Sequence, residues 1–192
     1  MFEHKVVKNI KESGAIIIGK SNTPEFGAGS QTFNEVFGST KNPYSLDKTC
    51  GGSSGGSAVA LACGMVPIAT GSDLGGSLRN PAAWSNIVGF RPSLGRVPAY
   101  DELGWSTLST GGPMGRQVED ILIQLVAISG YEKFSPSSFD DSTISLENSL
   151  HRNFNGTKIA WAKDLNNRPI ESEIYDNFMN QKTIFEKIGC EI

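Results

Sequence analysis

The sequence predicts an α/β fold, because short apolar strands alternate along the chain with helices. Three observations carry this prediction. Ala15–Gly19 is a run of β-branched apolar residues typical of a buried strand. The small residues of Ser57–Cys63 form a helical segment that ends at Gly64. Residues 117–128 place apolar side chains at helical spacing.

The other segments continue this alternation. Further helices are predicted for Val6–Ser13, Pro81–Trp84 and about 171–188, and further strands for Val66–Thr70, Ile87–Phe90 and Lys158–Ala162. Gly71–Ser77 is predicted to be a glycine-rich turn that follows the strand at Val66–Thr70.

A long segment, residues 20–56, separates the first strand from the helix at Ser57–Cys63. A segment of this length without regular structure is usually functional or disordered. Large apolar side chains are spaced through it and favour burial over disorder: Phe26, Phe33, Val36, Phe37 and Tyr44. A second polar stretch, residues 132–156, is predicted to be a surface excursion or a linker.

Composition excludes several classes of partner. The 192 residues carry a net charge of −3, from 17 basic and 20 acidic residues, and no long basic run. Nucleic acid and anionic membranes are therefore not expected as partners. The three cysteines form no C-x-x-C pair, which disfavours a disulfide framework or a zinc site and suits a reducing compartment. Without an apolar signal stretch, we expect a cytoplasmic protein.

The segment Gly51–Ser57 (GGSSGGS) precedes a helix and allows several interpretations. The plainest are a flexible linker and a phosphate cradle at a helix N-terminus. A Walker A loop would end in Gly-Lys-Ser/Thr, and no lysine is present. A dinucleotide-binding loop would follow a buried strand, whereas the polar residues 47–49 precede these glycines.

Two serine-enzyme patterns also fit this region as minor alternatives. Gly51–Gly55 and the overlapping Gly52–Gly56 match G-x-S-x-G, but any Gly/Ser run does so, and a nucleophile elbow requires a preceding strand. His151, the only histidine downstream, lies in a polar segment and is expected to be a solvated surface residue. Ser45–Lys48 matches S-x-x-K without a K-T-G companion.

A longer pattern is more specific, because it combines several motifs in a fixed order. Gly51–Ser57 is followed by Gly71–Arg79 (GSDLGGSLR) and by Gly89–Pro98 (GFRPSLGRVP), with Gly14–Phe26 (GAIIIGKSNTPEF) and Gly112–Arg116 (GPMGR) as flanks. Together these motifs closely resemble the amidase signature family over nearly the whole chain. The resemblance implies an α/β amidase-signature fold, with a mixed central sheet flanked by helices.

The resemblance also implies that residues 1–192 are the central part of a single amidase domain. Gly189–Ile192 indicates a helix end followed by a strand that has just begun, and Met1 opens close to or inside a helix. We therefore expect a fold that is incomplete at both ends, as an internal fragment or a natural remnant.

Two serines match the catalytic serines of the family. Ser77 matches the nucleophile that forms the acyl intermediate. Ser53 matches the bridging serine, which would relay the proton of Ser77 and which the family reaches through a cis peptide bond, here Gly52–Ser53. The resemblance therefore predicts that the two hydroxyl oxygens lie within hydrogen-bond reach, about 3 Å apart. Glycines suit a turn that aims several N–H groups at one oxygen, because it requires close approach and free φ. The resemblance assigns the oxyanion hole to the backbone amides of Leu74, Gly75, Gly76 and Ser77.

The resemblance gives other positions supporting roles. Gly27 is expected to form a wall of the acyl pocket and to contact the substrate. Asp73 and Arg79 flank the turn, and we expect them to form an ion pair that fixes the loop. Ser54 is expected to form hydrogen bonds in the same network.

The third catalytic residue of the family is a lysine. It lies farther upstream of the bridging serine than the 52 residues that precede Ser53, so its position falls before Met1. Lys20 matches a different family position, where a structural role is expected. Because a serine hydroxyl is a poor nucleophile without an adjacent base, we expect the isolated chain to be inactive.

The resemblance implies hydrolysis of a carboxamide C–N bond through an acyl-serine intermediate, on a small-molecule amide and without a metal or cofactor. At Leu74, Leu78 and residues 84–86, the sequence resembles free-standing amidases more than amidotransferase subunits. Two alternatives stay open: an inactive amidase-like remnant that lacks the base, and the A subunit of a tRNA-dependent amidotransferase. The sequence also leaves open whether the protein forms a homodimer.

Overall fold

The computed structural model describes residues 4–99, 106–139, 146, 149–162 and 168–192. The chain divides into two compact units, Met1–Glu147 and Asn148–Ile192. Met1 and residues 140–145 and 147–148 of the predicted polar excursion lie outside the described residues. No helix in the described ranges is long and apolar enough to cross a membrane.

The predicted helices are confirmed, with small shifts of their ends. They are α1 (Lys5–Glu12), α2 (Gly55–Ala62), α3 (Arg79–Trp84), α4 (Val118–Ile128) and α5 (Ser172–Lys187). Helix α4 begins with a capping box, in which the side chains of Gln117 and Asp120 bond reciprocally to backbone N–H groups. The first unit contains α1 to α4, and the second contains α5.

Seven short strands lie in the described part of the first unit. Two hairpins, β1 (Phe33–Asn34) with β2 (Gly38–Ser39) and β3 (Lys41–Asn42) with β4 (Ser45–Thr49), occupy the long polar segment. A three-stranded antiparallel sheet of order β5-β7-β6 contains β5 (Ile68–Asp73), β6 (Val88–Gly89) and β7 (Thr110–Gly115). Strand β5 runs on to Asp73, so the glycine-rich turn begins at Leu74 instead of Gly71.

Two apolar clusters hold the first unit together. Helices α2 and α3 pack on the sheet through the buried residues Ala58, Leu61, Leu78, Ala82 and Met114. A second cluster joins α1 to α4 through Val6, Val97, Leu125 and Ile128. Leu78 is fully buried and directly follows Ser77, so core packing anchors the turn that carries this serine.

The prediction of a buried strand at Ala15–Gly19 is wrong. This segment has no regular secondary structure, and Ile16 and Ile18 are 88% and 77% exposed. A strand is stabilised by pairing with a neighbour, and no strand in the described residues pairs with this one.

The burial predicted for the large apolar residues of segment 20–56 is also wrong. Phe26 is 100% exposed, and Phe33, Val36, Phe37 and Tyr44 are exposed as well. Polar contacts order the segment instead. The Asn34 side chain donates to Thr23 O at 2.9 Å and accepts the amides of Val36 and Phe37 at 3.0 and 2.8 Å.

The described part of the second unit contains a 3-10 helix at Ser149–His151, helix α5 and a short backbone pairing. The strand predicted at Lys158–Ala162 is reduced to one parallel bridge, between Lys158 and Glu191. Trp161 stacks on Phe178 with 4.7 Å between ring centroids and meets Phe185 edge-on at 5.2 Å. These aromatic contacts attach α5 to the residues around the bridge.

Candidate active site

Ser53 lies in the tight connection between β4 and α2. The Gly52–Ser53 peptide bond is cis, which confirms the expectation drawn from the family resemblance. The residues from Gly51 to Gly55 are all buried. This segment is therefore a packed part of the fold, and the flexible-linker interpretation is wrong.

Close packing explains the glycines of this segment. A Cβ atom at Gly55 would lie 2.2 Å from Thr32 Oγ1 and 2.6 Å from Cys50 Sγ. A Cβ atom at Gly56 would lie 2.4 Å from the backbone N and O of Asn22. Since real Cβ contacts are longer than 3 Å, only glycine lets residues 22 and 32 approach the start of α2 this closely.

Ser77 lies in the turn between β5 and α3, and backbone contacts join this turn to the Ser53 segment. The Ser54 amide donates to Ser77 O at 3.2 Å. The Ser54 hydroxyl accepts from the Ser72 amide at 3.2 Å and lies 3.3 Å from Ser72 O. The predicted network role of Ser54 is confirmed, and the two serine segments, 24 residues apart in sequence, are neighbours in space.

The two predicted catalytic hydroxyls do not bond to each other in this structure. In the described part of the chain, neither the Ser53 nor the Ser77 hydroxyl forms a hydrogen bond, although the family resemblance predicts one between them. The backbones of the two segments are in contact through the hydrogen bond from the Ser54 amide to Ser77 O. Nucleophile and relay remain predicted roles for Ser77 and Ser53.

One of the four predicted oxyanion donors already has an acceptor in this structure. The Gly76 amide donates to Asp73 Oδ1 at 2.7 Å, so it is already occupied in this conformation. The amides of Leu74, Gly75 and Ser77 donate to no acceptor within the described residues. Leu74 and Gly75 are also exposed. These three amides are free to bind an oxyanion, and that role stays a prediction for them and for Gly76.

Asp73 holds the turn by several hydrogen bonds. Its buried carboxylate accepts a two-point contact from Arg79, with Nε–Oδ2 at 2.9 Å and Nη2–Oδ1 at 3.0 Å. It also accepts the Gly76 and Leu78 amides. The predicted ion pair is confirmed.

These contacts change the pKa of both partners. Burial alone would raise the pKa of the Asp73 carboxyl, but hydrogen bonds from Arg79, Gly76, Arg91 and Leu78 outweigh burial and hold this pKa well below its usual range. The hydrogen bond to Asp73 raises the pKa of Arg79 in turn.

Arg91 is a member of this cluster that we did not predict. Its Nη1 donates to Asp73 Oδ1 at 2.8 Å and to the Asp73 carbonyl, and its Nη2 donates to Leu108 O at 2.7 Å. Arg91 therefore ties the end of β5 to the residues before β7. Arg91 belongs to the GFRPSLGRVP motif. Its position in the sequence gives no indication that it contacts Asp73.

Replacing Asp73 with asparagine is expected to lower the free energy of unfolding by about 3 kcal/mol at neutral pH, because it removes the anion from a buried ion cluster. The folded-state pKa is depressed. The contribution of Asp73 is therefore complete above about pH 4 and is lost as the pH falls below that value. Chemical denaturation between about pH 7 and pH 3 measures both effects.

The exposed Asp176 offers a matched control for Asp73. Asp176→Asn is expected to change the free energy of unfolding by less than about 0.5 kcal/mol. An Asp73→Asn protein as stable as the parent at pH 7, with the same pH dependence, would contradict the structural role of this cluster.

Two other residues named from the sequence are exposed. Gly27 is exposed, and a Cβ atom built on it would meet no heavy atom within 4 Å, so its substrate contact stays a prediction. Lys20 is exposed. No lysine or histidine in the described ranges bonds to Ser53 or Ser77, and no group of three or more metal-ligand side chains there could hold an ion.

Comparison with known proteins assigns the chain to a family. The family model described as Amidase matches residues 2–192. The chain belongs to the amidase family. This assignment agrees with the order of motifs from Gly14 to Arg116, and the matched range includes both predicted catalytic serines.

Two kinds of relative are similar to this amidase-family chain. The A subunit of the glutamyl-tRNA(Gln) amidotransferase of Marinomonas sp. (strain MWYL1) is 36% identical over 192 residues, which cover 100% of this chain and 40% of the relative. A bacterial aryl acylamidase of the amidase signature family superimposes with a TM-score of 0.91 at 32% identity, covering 99% of this chain and 39% of its own. The A subunit of the glutamyl-tRNA(Gln) amidotransferase of Thermotoga maritima superimposes with a TM-score of 0.86 at 35% identity. The match covers 99% of this chain and 42% of the Thermotoga chain.

These similarities confirm the predicted α/β amidase-signature fold. The sheet was predicted to be mixed, but within the described residues the three-stranded sheet is antiparallel throughout. The chain spans about 40% of the length of the curated relatives it matches. Identity does not separate the two classes of relative, since it is 36% and 35% for the A subunits and 32% for the aryl acylamidase.

Proposed function

We propose that this chain supplies the nucleophile, the relay serine and the oxyanion turn of an amidase that hydrolyses a small carboxamide. The observation that carries the proposal is the hydrogen bond from the Ser54 amide to Ser77 O, which places the two serine segments side by side. Membership of the amidase family supports the reaction class.

The proposed reaction begins at Ser77. Its Oγ attacks the carbonyl carbon of the amide and forms a C–O bond, while its proton passes to Ser53 and from there to a base. The tetrahedral intermediate then breaks its C–N bond, the leaving amine takes a proton, and an acyl-serine ester remains. Water hydrolyses this ester by the same steps and releases the acid.

The turn after β5 supplies electrostatic stabilisation in this proposal. The amides of Leu74, Gly75 and Ser77 have no acceptor among the described residues, so they are available to the negative oxygen of the tetrahedral intermediate. One such donor is typically worth ~2.7–4 kcal/mol in the transition state. Asp73 fixes the turn in place and already occupies the Gly76 amide.

The proposed reaction needs a base that accepts the proton from Ser53, and the described residues do not supply one. No basic side chain there bonds to Ser53 or Ser77, and loss of one member of a catalytic triad typically removes several powers of ten in rate. We therefore expect residues 1–192 alone to show no measurable amide hydrolysis. We expect a full-length protein that contains them, with the family lysine, to be active.

The experiment compares both proteins on a panel of simple aryl and alkyl amides. We expect no measurable hydrolysis by residues 1–192 alone and measurable hydrolysis by the full-length protein. Equal turnover by both would place the base within residues 1–192, and Lys20→Met would then test the first candidate. A correctly folded full-length protein without amidase activity would contradict the proposal and favour the alternative of an inactive amidase-like remnant.

A second candidate function rests on the relatives that are amidotransferase A subunits, which are 36% and 35% identical to this chain. In that role, the full-length protein would release nitrogen from an amide for transfer to glutamyl-tRNA(Gln). Isotope-labelled amide nitrogen distinguishes the two functions. Label released as ammonia with simple amides supports the free-standing amidase, and label found on tRNA only after partner proteins are added supports the second candidate.

A further inference from the structure

We propose that Thr32 is the positioning residue of Ser53, an inference that rests on the proposed function. Thr32 lies 21 residues before Ser53, just ahead of β1, and no motif discussed above includes it. Its side chain is nevertheless almost completely buried, with 2% of the residue exposed. A buried hydroxyl requires partners. Among the described residues, the backbone partners of this hydroxyl all lie between Gly51 and Gly55, and the Cys50 thiol next to them is a further side-chain partner.

The Thr32 hydroxyl contacts the backbone on both sides of Ser53. Oγ1 donates to Gly51 O at 2.8 Å and lies 3.3 Å from Ser53 O. It also accepts the Gly55 amide at 3.1 Å. One side-chain oxygen therefore fixes three backbone groups within five consecutive residues, with Ser53 in the middle.

The contact with Gly55 also replaces a missing helix cap. The first amides of a helix have no acceptor within the helix, and the side chain of Ser54, the N-cap of α2, makes no capping hydrogen bond. Thr32 provides that acceptor from a distant part of the chain. It thereby links the start of α2 to the segment that carries Ser53.

The packing around Thr32 leaves little freedom for another arrangement. A Cβ atom would lie 2.9 Å from Oγ1 if built on Gly52 and 2.2 Å if built on Gly55. The Thr32 hydroxyl therefore occupies the space between Gly52 and Gly55 that a side chain at either position would need. Without it, the Gly51 and Ser53 carbonyls and the Gly55 amide lose their common partner, and the Ser53 backbone loses a restraint on each side that the bond from the Ser54 amide to Ser77 O does not replace.

The test uses a full-length protein that contains this chain, with Thr32→Val removing the hydroxyl at nearly constant volume. We expect kcat for amide hydrolysis to fall about 100-fold, the size of effect caused by small misplacement of a reacting group. KM is expected to stay nearly unchanged, since Thr32 is inferred to act on the relay step and not on substrate binding. Thr32→Ser keeps the hydroxyl and is expected to retain most of the activity.

A double-mutant cycle separates positioning from general destabilisation. If Thr32 acts through Ser53, Thr32→Val causes no further loss of kcat in a Ser53→Ala background. An equal fall of kcat in both backgrounds, or unchanged kcat in Thr32→Val, would overturn the proposal. Should Thr32→Val fail to fold, Thr32→Ser and Thr32→Ala form a second pair that differs only in the hydroxyl.

Two controls complete this design. Thr40→Val removes another threonine hydroxyl, which accepts from the Asn22 side chain at 2.9 Å, and is expected to leave kcat unchanged. Ser77→Ala tests the proposed function itself. Activity that survives Ser77→Ala refutes the function, whereas an inactive Ser77→Ala beside a fully active Thr32→Val refutes only the role of Thr32.

Discussion

Replacing Ser77 with alanine is expected to abolish amide hydrolysis by a full-length protein that contains this chain. The substitution removes the oxygen that attacks the carbonyl carbon and leaves its surroundings in place, because Leu78 stays packed in the core and Asp73 still bonds to the turn. Single-turnover assays on an aryl amide measure the loss directly, before product release limits the rate.

Ser45→Ala is the matched control for this experiment, since Ser45 begins the S-x-x-K pattern and belongs to β4 and not to the turn that carries Ser77. It is expected to leave turnover unchanged. Full activity in Ser77→Ala would move the nucleophile elsewhere and reopen the overlapping G-x-S-x-G patterns at Gly51–Gly56. Inactivity in Ser45→Ala would instead favour the S-x-x-K interpretation.

Replacing Ser53 with alanine is expected to lower kcat by several orders of magnitude while residual activity persists. Ser53 passes the proton of Ser77 to the base, and its loss leaves the oxyanion donors intact. The hydrogen bond between the Ser54 amide and Ser77 O involves only backbone atoms and is retained. Rates below the limit of ordinary assays require a highly activated aryl ester or anilide as substrate.

The comparison of Ser53→Ala with Ser77→Ala is itself informative. We expect a measurable rate from Ser53→Ala and none from Ser77→Ala. Equal and complete loss in both would show that the relay cannot be bypassed. A Ser53→Ala protein with parental kcat would remove Ser53 from the mechanism and, with it, the basis for the role of Thr32.

The helices were predictable because each has a local pattern that requires no distant partner. Helix α4 shows it most clearly, with apolar side chains at helical spacing and a capping box at its start. Ile16 to Ile18 show the opposite case. Their β-branched run predicts a strand, but strand formation depends on a neighbour, and the described residues provide none.

The candidate site was predictable only in part for a similar reason. The motif order located both serines, and the pairing of Asp73 with Arg79 followed from their positions around one turn. The sequence did not predict the contacts of Thr32 with Ser53 and of Arg91 with Asp73, because these contacts span 21 and 18 residues of sequence. Such contacts depend on how the turns pack together, and no local pattern encodes that packing.

The most direct test of the central claim is to identify the serine that becomes acylated. A fluorophosphonate forms a stable O–P bond with an activated serine and releases fluoride, so peptide mapping by mass spectrometry locates the nucleophile. In a full-length protein that contains this chain, the adduct is expected on Ser77, and its rate of formation is expected to fall in Ser53→Ala. An adduct on Ser53 or Ser54, with Ser77 unmodified, would contradict the proposed mechanism.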